Sequence, residues 1–526
     1  MSSLSEDTVL SVVQNVFVVA KQKDVPAIKR AVINRFPRAS VRVPHALLDL
    51  AEMGEEDRLV FGLSQVWRLK QLKQYVASRV FVYGGNRLFG VEDIAEAEGL
   101  RNRALAEHDL RGAKYFNELL IELDFIAQSN RARALPDYIQ IETTSFCNAR
   151  CIMCSHYPNG NHGAQHLGGE TYQCLADVLA VSHTVSLNGM GEPFCNPHCP
   201  DLIDGYASQG NKVVTNTNLS VLTDRIIECI NRNFEWLEIS CDGATKETYE
   251  SIRRGLSFDR FYTNLMTLKE RCPDVRRHIA SVVMRQNVRE MPALVELAHE
   301  AGASIITFMT LNANIIIGND ADRMVHYPRV LAYYSARALE RGRELGIPVI
   351  VPNEGEVNRG LTERDIAGEL ASMDALPLYK SASEELAMRR TAQVVNDYLS
   401  NHDEIQRDTV ASNVRCSGIC DWLLTSSYVD LEGNAAMCCR NQSFHLGNVC
   451  DEGNFFSVWN GSFARKLRSI FYSGYLPESC LGCGLVESGN LHDLKVEITS
   501  RFYQQAAYKT RQKAVLAELL RDGAST

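Results

Sequence analysis

The sequence contains no run of eighteen apolar residues; even Ile305 to Ile317 is interrupted by Thr307, Thr310, Asn312 and Asn314. A bilayer-spanning helix needs roughly twenty, so none is expected. The opening residues lack a basic stretch followed by an apolar one, which argues against a secretory leader. Basic excess is missing too: 55 Lys and Arg stand against 64 Asp and Glu, a formal net charge of −9. A nucleic-acid partner is therefore not expected, since phosphate recognition needs a basic face. Short basic stretches such as Arg131/Arg133 and Arg276/Arg277 read as solvated surface. Internal repeats and low-complexity tracts are absent beyond the alternation described below. The chain is expected to act in the cytoplasm, away from membranes and nucleic acid.

Cysteine, by contrast, is plentiful. Sixteen cysteines in a 526-residue chain read as cytosolic point to metal or redox chemistry rather than disulfides. Three fall within eight residues, in Cys147-Asn148-Ala149-Arg150-Cys151-Ile152-Met153-Cys154. Three thiolates can hold three corners of a [4Fe–4S] cube and leave the fourth iron open to a small molecule. An electron carrier wants all four irons capped; a catalyst needs one open position. The competing reading is zinc, which takes four ligands, usually in paired Cys-x2-Cys or Cys/His units. The nearest fourth ligand, His156, lies too close to Cys154 to match that spacing.

Residues 1–135 read as mostly helical, with apolar residues at helical spacing over Ser5–Lys21, His45–Leu50 and Leu63–Tyr75 and a short strand at Val80–Tyr83. No catalytic constellation appears there, and a packing or docking module is expected. From Asp137 short β-rich runs recur at Tyr138–Glu142, Thr184–Leu187, Lys212–Thr215, Trp236–Ser240, Ile279–Met284 and Ser304–Met309, with amphipathic segments between them. Six strands alternating with helices predict an α/β fold with a parallel sheet, curled by right-handed crossovers into a full or partial barrel. In such barrels the chemistry lies on loops at the C-terminal ends of strands. The three cysteines follow the first strand at that end. Residues 316–410 read as a connecting region with helices at Tyr327–Leu345 and Ala382–Ser400, a short strand at Pro348–Val351 and a polar link after Pro352.

The Cys-x3-Cys-x2-Cys spacing resembles the signature of the radical S-adenosylmethionine (SAM) enzymes, and later loops resemble that family in order. Gly189-Met190-Gly191-Glu192-Pro193 is similar to its GGEP motif. The resemblance implies that these peptide groups and Glu192 hold the SAM amino group. Asn218, ending Thr215-Asn216-Thr217-Asn218, would reach the ribose or the carboxylate. Ser240-Cys241-Asp242-Gly243-Ala244 resembles the Ser-x-Asp-Gly-Ala stretch of members with SPASM or Twitch extensions. Strand alternation places Ser240 and Asp242 on one face, towards the ribose hydroxyls, and Cys241 on the other. Arg253 or Arg254 is a partner for the SAM carboxylate or a surface residue. Met153 departs from the aromatic usual in the family and still offers adenine an apolar face.

Near the C-terminus, Cys420, Gly433 and Cys438 match the opening of the SPASM pattern, with a hairpin predicted from Leu424–Leu431 and Ala435–Cys439. A helical stretch, Phe456–Tyr472, leads to Cys480-Leu481-Gly482-Cys483. Cys420, Cys438, Cys480 and Cys483 suit a second, fully ligated [4Fe–4S] cluster of the shorter Twitch type, with a zinc ribbon as the alternative. Cys416, Cys439 and Cys450 are spare. The expected domains are 1–135, a radical SAM barrel core of the partial (βα)6 kind over 136–315, the helical connection 316–410, a small α+β cluster domain 411–490, and a helical tail 491–526.

The resemblance implies one-electron cleavage of SAM to a 5′-deoxyadenosyl radical and hydrogen abstraction from a small polar, sugar-like or nucleotide-like substrate, with oxidation or epimerisation as outcome. A maturase acting on a ribosomally made peptide is the alternative, and a non-catalytic Fe–S carrier or scaffold the third reading. A flavodoxin or ferredoxin is the expected reductant. No residue is identified as a catalytic acid or base.

Overall fold

The computed structural model describes residues 87–154, 165–311, 322–352, 360–376, 422–438 and 445–473. It also describes the segments 15–19, 25–35, 40–42, 58–62, 80–84, 411–415 and 475–477 and positions 357, 420 and 480.

The N-terminal part departs from the helical expectation. Strands β1 (Asn15–Val19), β2 (Ser40–Arg42), β3 (Arg58–Gly62), β4 (Val80–Gly84) and β5 (Arg87–Phe89) form one sheet in the order β2-β1-β3-β4-β5. The first three pairings are parallel and only β4–β5 is antiparallel. β1 falls inside a segment read as helix. Its run Val16-Phe17-Val18-Val19 has no period, and a short unbroken apolar run cannot separate strand from helix. The predicted helices at His45–Leu50 and Leu63–Tyr75 lie outside the described residues. Two long helices, Ile94–Ala106 and Leu110–Ala127, then pack together. The second buries Leu119, Leu120 and Leu123 completely.

The barrel follows the predicted alternation. β6 (Tyr138–Ile141) pairs in parallel with β8 (Thr184–Ser186), after a two-residue strand β7 (Arg150–Cys151); β8 pairs with β9 (Lys212–Val214). β10 (Asn216–Thr217), β11 (Trp236–Ser240), β13 (Arg276–Val283), β14 (Ile305–Thr310) and β15 (Val349–Ile350) continue the parallel series. The third strand changes sheets at Thr215: β9 pairs backwards with β8, β10 forwards with β11. The Thr215 hydroxyl, which donates to Leu187 O at 3.2 Å, ties the bend to the preceding strand.

Along β6 and β11 the outward residues Ile139, Ile141, Leu237 and Ile239 are fully buried, while their neighbours keep some access. That alternation is what a strand covered by helices on one face and facing a lumen on the other requires. The predicted helix at Tyr327–Leu345 is present as Pro328–Leu345, stopped by Gly346 at φ 71°. The polar link after Pro352 holds a helix that periodicity did not predict, Glu363–Asp374, started by the Thr362–Asp365 capping box. The predicted helix Ala382–Ser400 and the tail 491–526 lie outside the described residues.

After β16 (Ala411–Arg415), the C-terminal hairpin, β17 (Ser426–Val429) and β18 (Asn434–Ala436), turns through Gly433 at φ 88°, a left-handed value suited to glycine. β19 (His445–Asn448) adds to it. β17 also pairs in parallel with β6, so the hairpin extends the barrel sheet at its first edge. The predicted helix Phe456–Tyr472 is two helices, Phe455–Trp459 and Ser462–Tyr472, parted at Asn460-Gly461.

Candidate functional site

The three cysteines lie on the loop leaving β6. Cys154 N donates to Cys151 O at 3.1 Å, and β7 pairs antiparallel with a two-residue strand, β12 (Arg253–Arg254), placing Cys151 opposite Arg253. Burial pushes both the Cys147 and Cys151 thiols up to about 12; Cys154 adds to both shifts, and Cys147 to that of Cys151. Thiols gathered and buried in this way ionise only if a cation compensates them, which iron does. Among the described residues no three such groups stand close enough to share one metal ion. Ligands of a cube bind different irons and stand further apart than ligands of one ion. The donor set fits a [4Fe–4S] cluster with one iron left without a protein thiolate.

The loops after the next strands converge on this one. Glu192 N donates to Phe146 O at 2.9 Å. A Cβ on Gly191 would run into the Thr144 and Phe146 carbonyls, and one on Gly189 into the Glu142 side chain at 2.5 Å. The glycines therefore let this loop lie against the cysteine loop itself. Glu192 is buried, and its carboxylate accepts from the Thr217 hydroxyl at 2.6 Å, Asn218 N at 2.8 Å and Phe194 N at 3.4 Å. Burial raises its pKa, opposed by these bonds. In this structure Glu192 fastens the third strand to the second. Pro193 starts the short turn Pro193–Cys195 and is buried. Asn218 Nδ2 donates to Asn148 Oδ1 at 3.0 Å, and Asn148 Nδ2 to Ser220 Oγ at 2.8 Å, so the third loop also grips the cysteine loop.

Ser240 ends β11 half-buried, while Cys241 and Asp242 are fully buried. Asp242 does not share Ser240's access. Its Oδ1 accepts from Val282 N at 2.7 Å and its Oδ2 pairs with Arg253 Nη2 at 2.7 Å. Arg253 is 7% exposed, so the surface role is not its place in the fold.

Two groups near the cysteines escaped sequence reading. Cys195, two residues past Pro193, sits near enough to Cys147 to raise its pKa, and its thiol accepts from the Asn148 amide. Glu142, at the end of β6, accepts from Met190 N at 2.6 Å and from the Tyr428 hydroxyl of the C-terminal hairpin at 3.4 Å. Burial, with Asp430 and Glu432 nearby, lifts its pKa to about 7. Glu142 is a plain residue in sequence; only the folding of β17 against β6 surrounds it with these groups.

The lumen face carries polar residues. His278 Nδ1 lies 3.4 Å from Glu238 Oε2, and its Nε2 is 2.8 Å from Thr307 Oγ1. Burial raises the Glu238 pKa and lowers that of His278, so the imidazole is neutral near pH 7. Gln140 donates to Asn188 O at 3.0 Å, and Asn188 to Asn216 Oδ1 at 3.3 Å.

In the C-terminal part Cys420, Cys438 and Cys480 are half-buried. Cys483, Cys416 and Cys439 lie outside the described residues. Burial pushes the spare Cys450 thiol up to about 11, and the Cys174 thiol lies against it.

The radical SAM superfamily profile matches residues 141–298, and that of the SPASM iron–sulfur cluster-binding domain matches 420–484. The chain thus carries a radical SAM domain and, nearer its C-terminus, a SPASM-type cluster-binding domain. Curated relatives include an AdoMet-dependent heme synthase of Methanosarcina barkeri, 28% identical over 172 residues, which are 32% of this chain and 48% of the relative. A GTP 3′,8-cyclase of Chlorobaculum tepidum is 28% identical over 33% of this chain and 53% of its own length. Mycofactocin maturase MftC of Mycobacterium tuberculosis is 27% identical over 34% and 46%. The chain thus spans about half the length of the curated relatives it matches. Among solved structures, Streptococcus suis SuiB bound to precursor peptide SuiA aligns over 72% of this chain and 75% of its own at 13% identity and a TM-score of 0.45. A histidine-tagged anSMEcpe with bound AdoMet aligns over 73% and 96% at 16% identity and a TM-score of 0.44. No helix among the described residues is long and apolar enough to cross a membrane.

Proposed function

We propose that this chain holds a [4Fe–4S] cluster on Cys147, Cys151 and Cys154 with SAM at the open iron, and takes a hydrogen atom from a polar substrate bound in the barrel. When bound, the cluster and SAM supply the one-electron chemistry that makes a deoxyadenosyl radical. The chain's own residues do the positioning. The observation that carries the reading is convergence: Glu192 and Asn218, from separate motifs over twenty residues apart, bond to each other and to the cysteine loop. Backbone groups of Gly189–Pro193, with Asn218 and the accessible Ser240, are the SAM contacts of this proposal. Asp242 acts behind them.

The substrate reading favours a small polar molecule, with oxidation or epimerisation as outcome. Glu238, His278, Thr307, Asn188 and Gln140 offer a lumen rich in hydrogen-bonding groups, which suits a substrate that brings its own. The curated relatives act, by their names, on heme synthesis, on GTP and in mycofactocin maturation. The maturase among them supports peptide modification as a second reading. Among the described residues of the N-terminal sheet, β1 to β4 pair in parallel and only β4 and β5 form an antiparallel hairpin. Cys420, Cys438, Cys480 and Cys483 are the proposed ligands of an auxiliary cluster, and a flavodoxin or ferredoxin the proposed electron donor.

The test is anaerobic reconstitution with iron and sulfide, then dithionite and SAM, assaying 5′-deoxyadenosine. Its formation supports the reading. A full iron load with no deoxyadenosine, with or without added sugar, nucleotide and peptide pools, shifts the assignment to an electron carrier. Zinc in place of iron after anaerobic purification rejects it.

A further inference from the structure

The ion pair between Asp242 and Arg253 is buried at both ends, with side-chain exposures of 0% and 9%. The sequence offered Arg253 as a partner for the SAM carboxylate; in the fold its Nη2 is held by Asp242. Its neighbours suggest another use. β12 sets Arg253 directly opposite Cys151, where cross-strand side chains stand roughly 5 Å apart on one face. Ile152 N donates to Ile252 O at 3.0 Å, holding that register. Nη2 is taken by Asp242, but the buried Nε hydrogen finds no acceptor among the described residues. A buried donor is normally satisfied, and the ligand sulfur next to it is an acceptor of the right sign.

We propose that Arg253 is a positioning residue that sets the reduction potential of the cluster held by Cys147, Cys151 and Cys154. Reduction adds a negative charge to a group ligated by three thiolates in a buried loop. A fixed cation beside one of those thiolates stabilises the reduced form more than the oxidised form, and low local dielectric enlarges the effect. Arginine suits the task because it does not lose its proton when buried. Asp242 sets the strength: it anchors the guanidinium and cancels part of its charge.

The inference rests on the cluster assignment above, and the experiment separates the two. Reconstituted full-length protein is titrated electrochemically, following by EPR the signal that changes when SAM is added. Arg253→Gln should move that midpoint to more negative potential, and Arg253→Lys should move it less. Asp242→Asn should move it the opposite way, to more positive potential, by freeing the full positive charge. Should Arg253→Gln fail to retain iron, the sign of the Asp242→Asn shift decides. An unchanged midpoint in Arg253→Gln, or a negative shift in Asp242→Asn, overturns the proposal. Absence of any SAM-sensitive signal in the wild type rejects the cluster assignment and the inference with it.

Discussion

The Glu192 carboxylate accepts the Asn218 amide at 2.8 Å while the Glu192 amide donates to Phe146 O at 2.9 Å. One residue thus ties the third strand's loop to the cysteine loop through its side chain and its backbone. The cysteine loop and the two loops that carry the proposed SAM contacts are therefore fastened to one another. Disturbing any of them should disturb all.

Gly191→Ala is the sharpest test of that unit. The new Cβ would meet the backbone carbonyls of Thr144 and Phe146, which are not flexible side-chain ends. The loop must shift, and displacement of reacting groups by about an ångström costs on the order of 100-fold in rate. Deoxyadenosine formation should fall by about that factor, with the C-terminal cluster's iron retained.

Replacing Cys147, Cys151 and Cys154 together with alanine should abolish SAM cleavage and remove about four irons per chain. The remaining iron, roughly four per chain, should stay on Cys420, Cys438, Cys480 and Cys483. Iron analysis beside the deoxyadenosine assay checks this, and loss of all iron would show that the two sites do not assemble independently.

Asp124 gives stability a pH dependence away from the cysteines. Burial raises its pKa from 3.8 to about 7, against backbone bonds from Arg133 N at 2.6 Å and Ala134 N at 2.9 Å. The folded state therefore holds a proton that the unfolded chain releases near pH 4. That contribution is fully present below about pH 4 and lost as pH rises through about 7. Asp124→Asn keeps an acceptor for both amides and cannot ionise. Its stability relative to the wild type should improve from pH 4 to pH 7 in urea unfolding.

Arg468 joins the C-terminal helix to the N-terminal half. It is fully buried and donates to Leu423 O at 3.0 Å, Trp459 O at 3.0 Å and Asn130 O at 3.2 Å, with its guanidinium 4.4 Å from the Trp459 ring centroid. Arg468→Ala leaves several buried acceptors unmet, each worth roughly 1–3 kcal/mol. A loss of about 3 kcal/mol or more is expected in denaturant unfolding. Arg468→Lys should recover only part of it, lacking the planar fork.

Much of the barrel was legible because its signals are local. Cysteine spacing, glycine-bearing turns and strand-helix alternation depend on neighbours within a few residues, and the six parallel strands stand close to where alternation placed them. The N-terminal sheet was not legible: Val16–Val19 satisfies helix and strand patterns alike, and its partners at Ser40–Arg42 and Arg58–Gly62 are distant in sequence. The roles within the motifs shifted for a related reason. Glu192 and Asp242 lie in the loops the motifs marked, and burial fills their carboxylates with bonds to Asn218 and Arg253.

By itself, then, the amino-acid order determined the chemistry this chain can hold: three clustered thiols, the loops that follow them, and a barrel to carry both. Only the tertiary structure decided which groups face that chemistry. It set Arg253 against Cys151, brought Cys195 beside Cys147, and laid β17 on β6 so that Tyr428 reaches Glu142. These pairings join residues up to 286 positions apart. Their strength comes from lost solvent and close approach, which exist only once the chain has packed.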